Sequence, residues 1–317
     1  MNYNELNAFL QHGLTGGVFP CYAAATGEWT SFGGYRALYP QKEVLTEDTL
    51  FDMASLSKLI GTTCAALKLI EHGKLHLQDT VGMFFEHCYG KENITVHQLM
   101  THSSGIKPHF PLWLRGIEPK DAADEILREE LGYPTGTEVA YTCMGYILLG
   151  KMIEQIEKQP LDQIVCRLVF EPLGMQNSFY NPPSDRPCAA TEGELCGVVH
   201  DENARFLGGV SGNAGVFCTL GDAVRFARMI QAHGEGYLPR ELFDMAIRNY
   251  TAGFREDRGL GFQLCSFGYG HTGFTGTSIY ANDKTYAVLL TNRVHPTREN
   301  AALAPFRREF HKKIFGV

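Results

Sequence analysis

Strand-forming stretches lie at the two ends of this 317-residue chain, with a long helical middle between them. Val18 to Thr26 and Trp29 to Tyr35 read as two strands around a turn at Gly27. From about Gly261 strands return, at Phe262–Ser266, His271, Thr277–Ala281 and Tyr286–Thr291. Between them, apolar periodicity predicts helices at Ser55–Glu71, Val96–His102, Asp121–Leu131, Gly145–Glu157, Leu161–Val169 and Asp222–His233. His72-Gly73 supplies a C-terminal cap for the first of these. The simplest assembly is an α+β fold in which one antiparallel sheet is built from both chain ends. Helices at Tyr3–Leu14 and Asn300–Phe315 flank that sheet, and the middle forms a mostly helical lobe. The expectation is a single two-lobed domain over residues 1–317. Its sheet lobe covers about 1–54 and 235–317, its helical lobe about 55–234, and a cleft between them is a natural place for a site.

Lys plus Arg number 28 and Asp plus Glu 35, a net charge of −7. That balance argues against nucleic acid as a partner and against docking on an anionic membrane. With 44% hydrophobic residues the chain has the material for a sizeable core. The first residues carry no basic segment followed by an apolar one, so no signal peptide is expected. The most apolar stretch, Leu59 to Ile70, contains Lys68 and is too short to span a bilayer. Nine cysteines with no C-x-x-C pair fit reduced thiols in a cytoplasmic protein. No phosphate-binding loop, H-E-x-x-H or G-x-S-x-G pattern is present. Neither cofactor nor metal is expected, the partner being a small-molecule substrate. The oligomeric state is left open.

Three pieces of sequence could carry chemistry. Ser55 and Lys58 are three apart, on one face of the start of an apolar helix. A serine hydroxyl needs a base to become a nucleophile, and a lysine in a low-dielectric site can serve as one. A helix N-terminus favours developing negative charge. The alternative is that Ser55 only caps the helix and Lys58 is solvated. A second match, Ser104-Gly105-Ile106-Lys107, runs into Pro108 and reads as a turn. Tyr141 stands just before the Gly145 helix, where it could reach a cleft as a base or serve as an aromatic anchor. The third piece, Gly270 to Thr277, contains three glycines, His271, Thr272 and Phe274. It is either a glycine-rich hairpin or a place where a substrate approaches closely, and the Phe274 and Ser55 amides could form an oxyanion pair.

In this order the three pieces resemble the serine hydrolases of the class C beta-lactamase and penicillin-binding-protein superfamily. Tyr141 follows Ser55 by 141 − 55 = 86 residues, and His271-Thr272-Gly273 follows Tyr141 by 271 − 141 = 130. Ile94 to Gly105, Pro172 to Met175, Gly215 to Thr219 and Leu289 to Arg293 fit the same family, so the likeness covers nearly the whole chain. The resemblance implies a beta-lactamase-like fold. It implies Ser55 as the acylated nucleophile, Lys58 with Tyr141 as the base system, and His271 at the third-motif position. Thr272, Gly273 and Phe274 would then line the substrate.

Two departures shape the expected activity. The family often places Asn or Ser two residues after the tyrosine, where this chain has Cys143. Cys143, in the position of a substrate contact, is expected to be a buried inert thiol, with a reactive thiol as the alternative. The third motif of true beta-lactamases begins with Lys, a fixed cation, whereas His271 is largely neutral at pH 7. Both departures favour an esterase-like activity, or a peptidoglycan-fragment amidase or carboxypeptidase, over efficient penicillin turnover. A non-catalytic acyl-ligand binding module on the same fold is the alternative. A further polar segment, His200 to Asn203, reads as a turn closing the helical lobe or as a rim of the cleft.

Overall fold

The computed structural model describes residues 2–316. Its strands are β1 Cys21–Thr26, β2 Trp29–Ala37, β3 Glu43–Val44, β4 Phe51–Asp52, β5 Ser178–Tyr180, β6 Val216–Cys218, β7 Gln263–Cys265, β8 Gly268–Thr272, β9 Ser278–Ala281 and β10 Tyr286–Thr291. Its α-helices are α1 Tyr3–Thr15, α2 Cys64–Glu71, α3 Val96–Met100, α4 Ala122–Arg128, α5 Cys143–Glu157, α6 Leu161–Val165, α7 Glu202–Phe206, α8 Leu220–Gln231, α9 Arg240–Ala246 and α10 Leu303–Phe315.

The two chain ends meet in one sheet. Seven strands follow the order β3-β2-β1-β10-β9-β8-β7, and β1 pairs with β10 so that Ala23 lies opposite Leu290. The neighbouring pairs are antiparallel throughout. Alternation along β1 and β10 supplies both faces. Tyr22, Ala24, Ala287 and Leu289 pack with Leu6 and Leu10 of α1 and with Phe306 and Phe310 of α10. Ala23, Ala25, Val288 and Leu290 belong to the main core.

The sequence assigns residues 55–234 to the helical lobe, but α8 packs on the sheet against β10, β9 and β1. Its buried stripe of Ala223, Phe226, Ala227 and Ile230 faces small residues of β1, which let a helix approach closely. The sheet lobe therefore takes α8 as well. A second sheet, of order β4-β6-β5, has strands only two or three residues long, too short for an alternating pattern to announce them.

Two predicted helices differ inside their bounds. The Ser55–Glu71 stretch contains a π-helical segment at Lys58–Thr63, and Cys166–Phe170 is π-helical as well. Such widened turns occur frequently at functional sites. At Gly61, within the first of these segments, a Cβ would meet the Tyr180 hydroxyl at 2.8 Å. α5 begins at Cys143, two residues ahead of the predicted start, because the Thr142 hydroxyl caps it by accepting from the Gly145 amide. No helix among the described residues is long and apolar enough to cross a membrane.

Candidate active site

Ser55 sits on a turn fastened from several sides. Ala54, just before it, holds φ at +47°, a left-handed conformation that costs a non-glycine residue energy. The Asp52 carboxylate accepts from the amides of Ala54 and His200 at 2.8 and 2.7 Å. Thr275 and Thr277 donate their hydroxyls to the carbonyls of Asp52 and Met53. Ser57 accepts from the Val216 amide at 3.0 Å. Gly273 must be glycine, since a Cβ there would sit 2.5 Å from the Met53 carbonyl. The turn thus joins β4, β6 and the loop after β8. The Ser55 and Phe274 amides donate to no group among the described residues, as an oxyanion pair requires.

Burial pushes the Asp52 carboxyl up to about 6, against the two amides that favour its charged form. The folded state therefore holds this proton more tightly than the unfolded chain does. The stabilising contribution is complete at low pH and is lost as pH rises through about 6. A shift from 3.8 to about 6 corresponds to about 3 kcal/mol. Asp52→Asn removes this dependence, so wild type should lose stability relative to the variant by up to that amount between about pH 4 and pH 7.5. Urea unfolding of both proteins across this range measures it, and a pH-independent difference would refute it.

Lys58 is fully buried in the first turn after Ser55. Its Nζ donates to Ser55 Oγ at 3.2 Å and to the Asn213 carbonyl at 2.9 Å, and lies 3.4 Å from Cys143 Sγ. Asn213 is held in turn by Ser211 and Asp201. Burial opposes the charge on Lys58, but the Cys143 and Tyr141 groups beside it raise its proton affinity overall. The Cys143 thiol moves the other way. Burial opposes its ionisation, yet Lys58 and His109 bring it below the ordinary thiol range.

Tyr141 stands at the mouth of α5, its ring 4.9 Å from Lys58 Nζ and 5.5 Å from the Arg258 guanidinium. Its buried hydroxyl has no hydrogen-bond partner among the described residues. Burial raises this phenol, and Lys58 and Ser55 work against that rise. His271 packs 5.8 Å from the Tyr141 ring. Its Nδ1 donates to the Thr272 carbonyl at 2.8 Å, which leaves Nε2 a buried, unpaired acceptor. Burial, helped by Arg258 and Lys58, lowers His271 to about 3, so the ring is neutral at physiological pH. It therefore offers no charge to a substrate carboxylate.

Two cavities meet at Ser55, Tyr141 and Phe274. One, of about 530 Å³, is lined by Arg258, Arg293 and Arg307, with Glu256 as the opposing charge. The other, of about 350 Å³, lies between Pro108, His109, Cys143, Asp201 and Phe274. All the sequence-selected positions Ser55, Lys58, Tyr141, Cys143, His271, Thr272, Gly273 and Phe274 are gathered here. Ser104 and Lys107 are not: they sit in a loop where Lys107 pairs with Glu129 at 2.7 Å. The His200–Asn203 segment departs from a simple turn, because Asp201 caps the short helix α7. His200 stacks on Phe274 at 5.6 Å and pairs with Glu192, so the segment borders the cleft.

Sequence reasoning missed Arg258, which lies in an irregular stretch between α9 and β7 and belongs to no motif. It is 5% exposed, and its Nε is buried without a partner. No motif, spacing or periodicity in the sequence marks it. Asp52 and Asn213 were missed as well, since their work is done through backbone groups that a sequence does not display.

A family model described as Beta-lactamase matches residues 8–312. The chain belongs to the beta-lactamase family. Among curated relatives of this family, one of Escherichia coli (strain K12) named "Putative D-alanyl-D-alanine carboxypeptidase" is 30% identical, covering 86% of this chain and 76% of its own. EstCE1, described as a hydrolase with promiscuous acyltransferase activity, superposes with a TM-score of 0.81 at 18% identity, covering 99% of this chain and 98% of its own. The D-amino acid amidase of Ochrobactrum anthropi SV3 gives 0.78 at 19% identity, covering 98% and 97%. This beta-lactamase-family chain is a serine hydrolase.

Proposed function

We propose that the protein forms an acyl-enzyme at Ser55 and hydrolyses a small peptide or amide whose leaving group carries a carboxylate, a carboxypeptidase-like activity. The observation that carries this reading is Arg258. A buried guanidinium with an unpaired Nε is costly unless something accepts from it, and a planar carboxylate suits it best. Arg293 and Arg307 add positive charge, although both already donate to backbone carbonyls. Glu256, paired with Arg258, is the one carboxylate lining this cavity. Where family enzymes use a lysine at the third motif, His271 is neutral here, and Arg258 supplies the cation instead. The name of the Escherichia coli relative points to the same substrate class.

In this mechanism Ser55 attacks the scissile carbonyl. Its proton passes into the Lys58–Tyr141 pair and on to the leaving amine. The Ser55 and Phe274 amides hold the oxyanion, and water releases the acyl group. An ester or simple amide with no carboxylate leaves Arg258 Nε without an acceptor and reacts more slowly.

The test compares D-alanyl-D-alanine with its C-terminal amide. Arg258→Ala should lower kcat/KM for the free acid by about 10²-fold, a charge-assisted bond lost at a desolvated site. For the amide the change should stay within about threefold. Equal losses on both substrates would show that Arg258 is structural and would overturn the carboxylate reading.

A further inference from the structure

The environment of Cys143 separates it from the other thiols of the chain. Its Sγ is 3.4 Å from Lys58 Nζ, and His109 lines the same cavity. It opens α5, whose first-turn N–H groups favour an anion. It also lines the cavity of about 350 Å³ beside Ser55, and so does Tyr141, whose buried hydroxyl has no partner. The sequence expectation was an inert buried thiol, but Cys143 is only partly buried and faces open space.

We propose that Cys143 is a second nucleophile of the cleft and a covalent modification site for small, uncharged, soft electrophiles that enter this cavity. The reactive species is the thiolate. Lys58 and His109 favour it, while burial and the Asp201 carboxylate disfavour it, and the cations prevail. With a haloacetamide, the sulfur attacks the methylene carbon. The S–C bond forms as the C–I bond breaks, iodide leaves with the bonding pair, and the proton of the former thiol stays on Lys58. The adduct then fills the cavity at Ser55.

Other thiols serve as internal controls. Cys166 and Cys196 are exposed, yet both are raised above the ordinary thiol range. Burial is the main cause for each, and Glu171 adds to it at Cys166. Exposure and ionisation therefore predict opposite orders of reaction. The native protein is treated briefly with limiting iodoacetamide, quenched and mapped by peptide mass. Cys143 should be carbamidomethylated about tenfold faster than Cys166 or Cys196. Each adduct on Cys143 should remove one Ser55 from labelling by a fluorophosphonate. Lys58→Met should slow Cys143 about tenfold and leave Cys196 unchanged.

Earlier reaction at Cys166 or Cys196 overturns the proposal, and so does Ser55 labelling that persists beside a modified Cys143. The wild-type order decides the matter even if the Lys58 variant does not fold. Absence of fluorophosphonate labelling in the untreated protein would count against the acyl-enzyme reading, and the relative cysteine rates would still stand on their own.

Discussion

Replacing Ser55 by alanine is expected to abolish both fluorophosphonate labelling and turnover. Intact mass should show one adduct on the wild type and none on the variant, with hydrolysis reduced by roughly 10⁴-fold or more. Geometry explains why no other hydroxyl takes over. Lys58 Nζ donates to Ser55 and to no other hydroxyl among the described residues. Ser57, two residues on, is fully buried and holds the Val216 amide. Ser104, in the second S-x-x-K match, is buried in a loop where its hydroxyl accepts from the Ile106 amide. The substitution removes one partly exposed side chain and one hydrogen bond, a stability cost of about 1 kcal/mol. A folded but silent variant would therefore report chemistry rather than collapse. An equal adduct on both proteins would move the nucleophile elsewhere. No adduct on either would leave the same fold acting as a binding module.

The sheet was legible because both faces of β1 and β10 are buried, so their sequences are strongly apolar and their pairing across 267 residues (290 − 23) had few alternatives. The candidate trio was legible for a different reason. Ser55 and Lys58 stand at a helix start, where a spacing of three puts both on one face, and Tyr141 stands just ahead of α5. What holds the trio in place was not legible. The strained Ala54 turn depends on β4 and β6, whose two- and three-residue strands carry no periodic signal. Arg258 reaches the cleft from an irregular segment, and its meaning comes only from an unpaired nitrogen in three dimensions. The packing of α8 on β10, β9 and β1 was not legible, because an amphipathic stripe reveals that a helix is covered, but not by what.

Lys58→Met should lower the rates of both labelling and hydrolysis by about 10²–10⁴-fold, the usual worth of a positioned proton acceptor. Methionine keeps much of the buried length of the lysine, so packing survives. The Asn213 carbonyl loses a donor at a cost of about 1–3 kcal/mol. Lys58→Arg should not restore the rate. Arginine stays protonated, and its planar fork does not fit a site shaped for one ammonium between Ser55, Asn213 and Cys143. The deeper reason concerns charge neutrality. Lys58 is fully buried, and a lone ammonium there would be strongly disfavoured. Lys58 and Cys143 together can be neutral in two ways, as ammonium with thiolate or as amine with thiol. Only the amine can take the serine proton at Lys58, so the proposed acylation would draw on the second arrangement, with Cys143 setting how much of it is present. Removing the thiol as a proton acceptor lets burial pull Lys58 down and favours the amine. Cys143→Ala should accordingly shift the alkaline-going rise of the labelling rate to lower pH. An unshifted profile would separate Cys143 from the proton chemistry and leave Lys58 to act with Tyr141 alone.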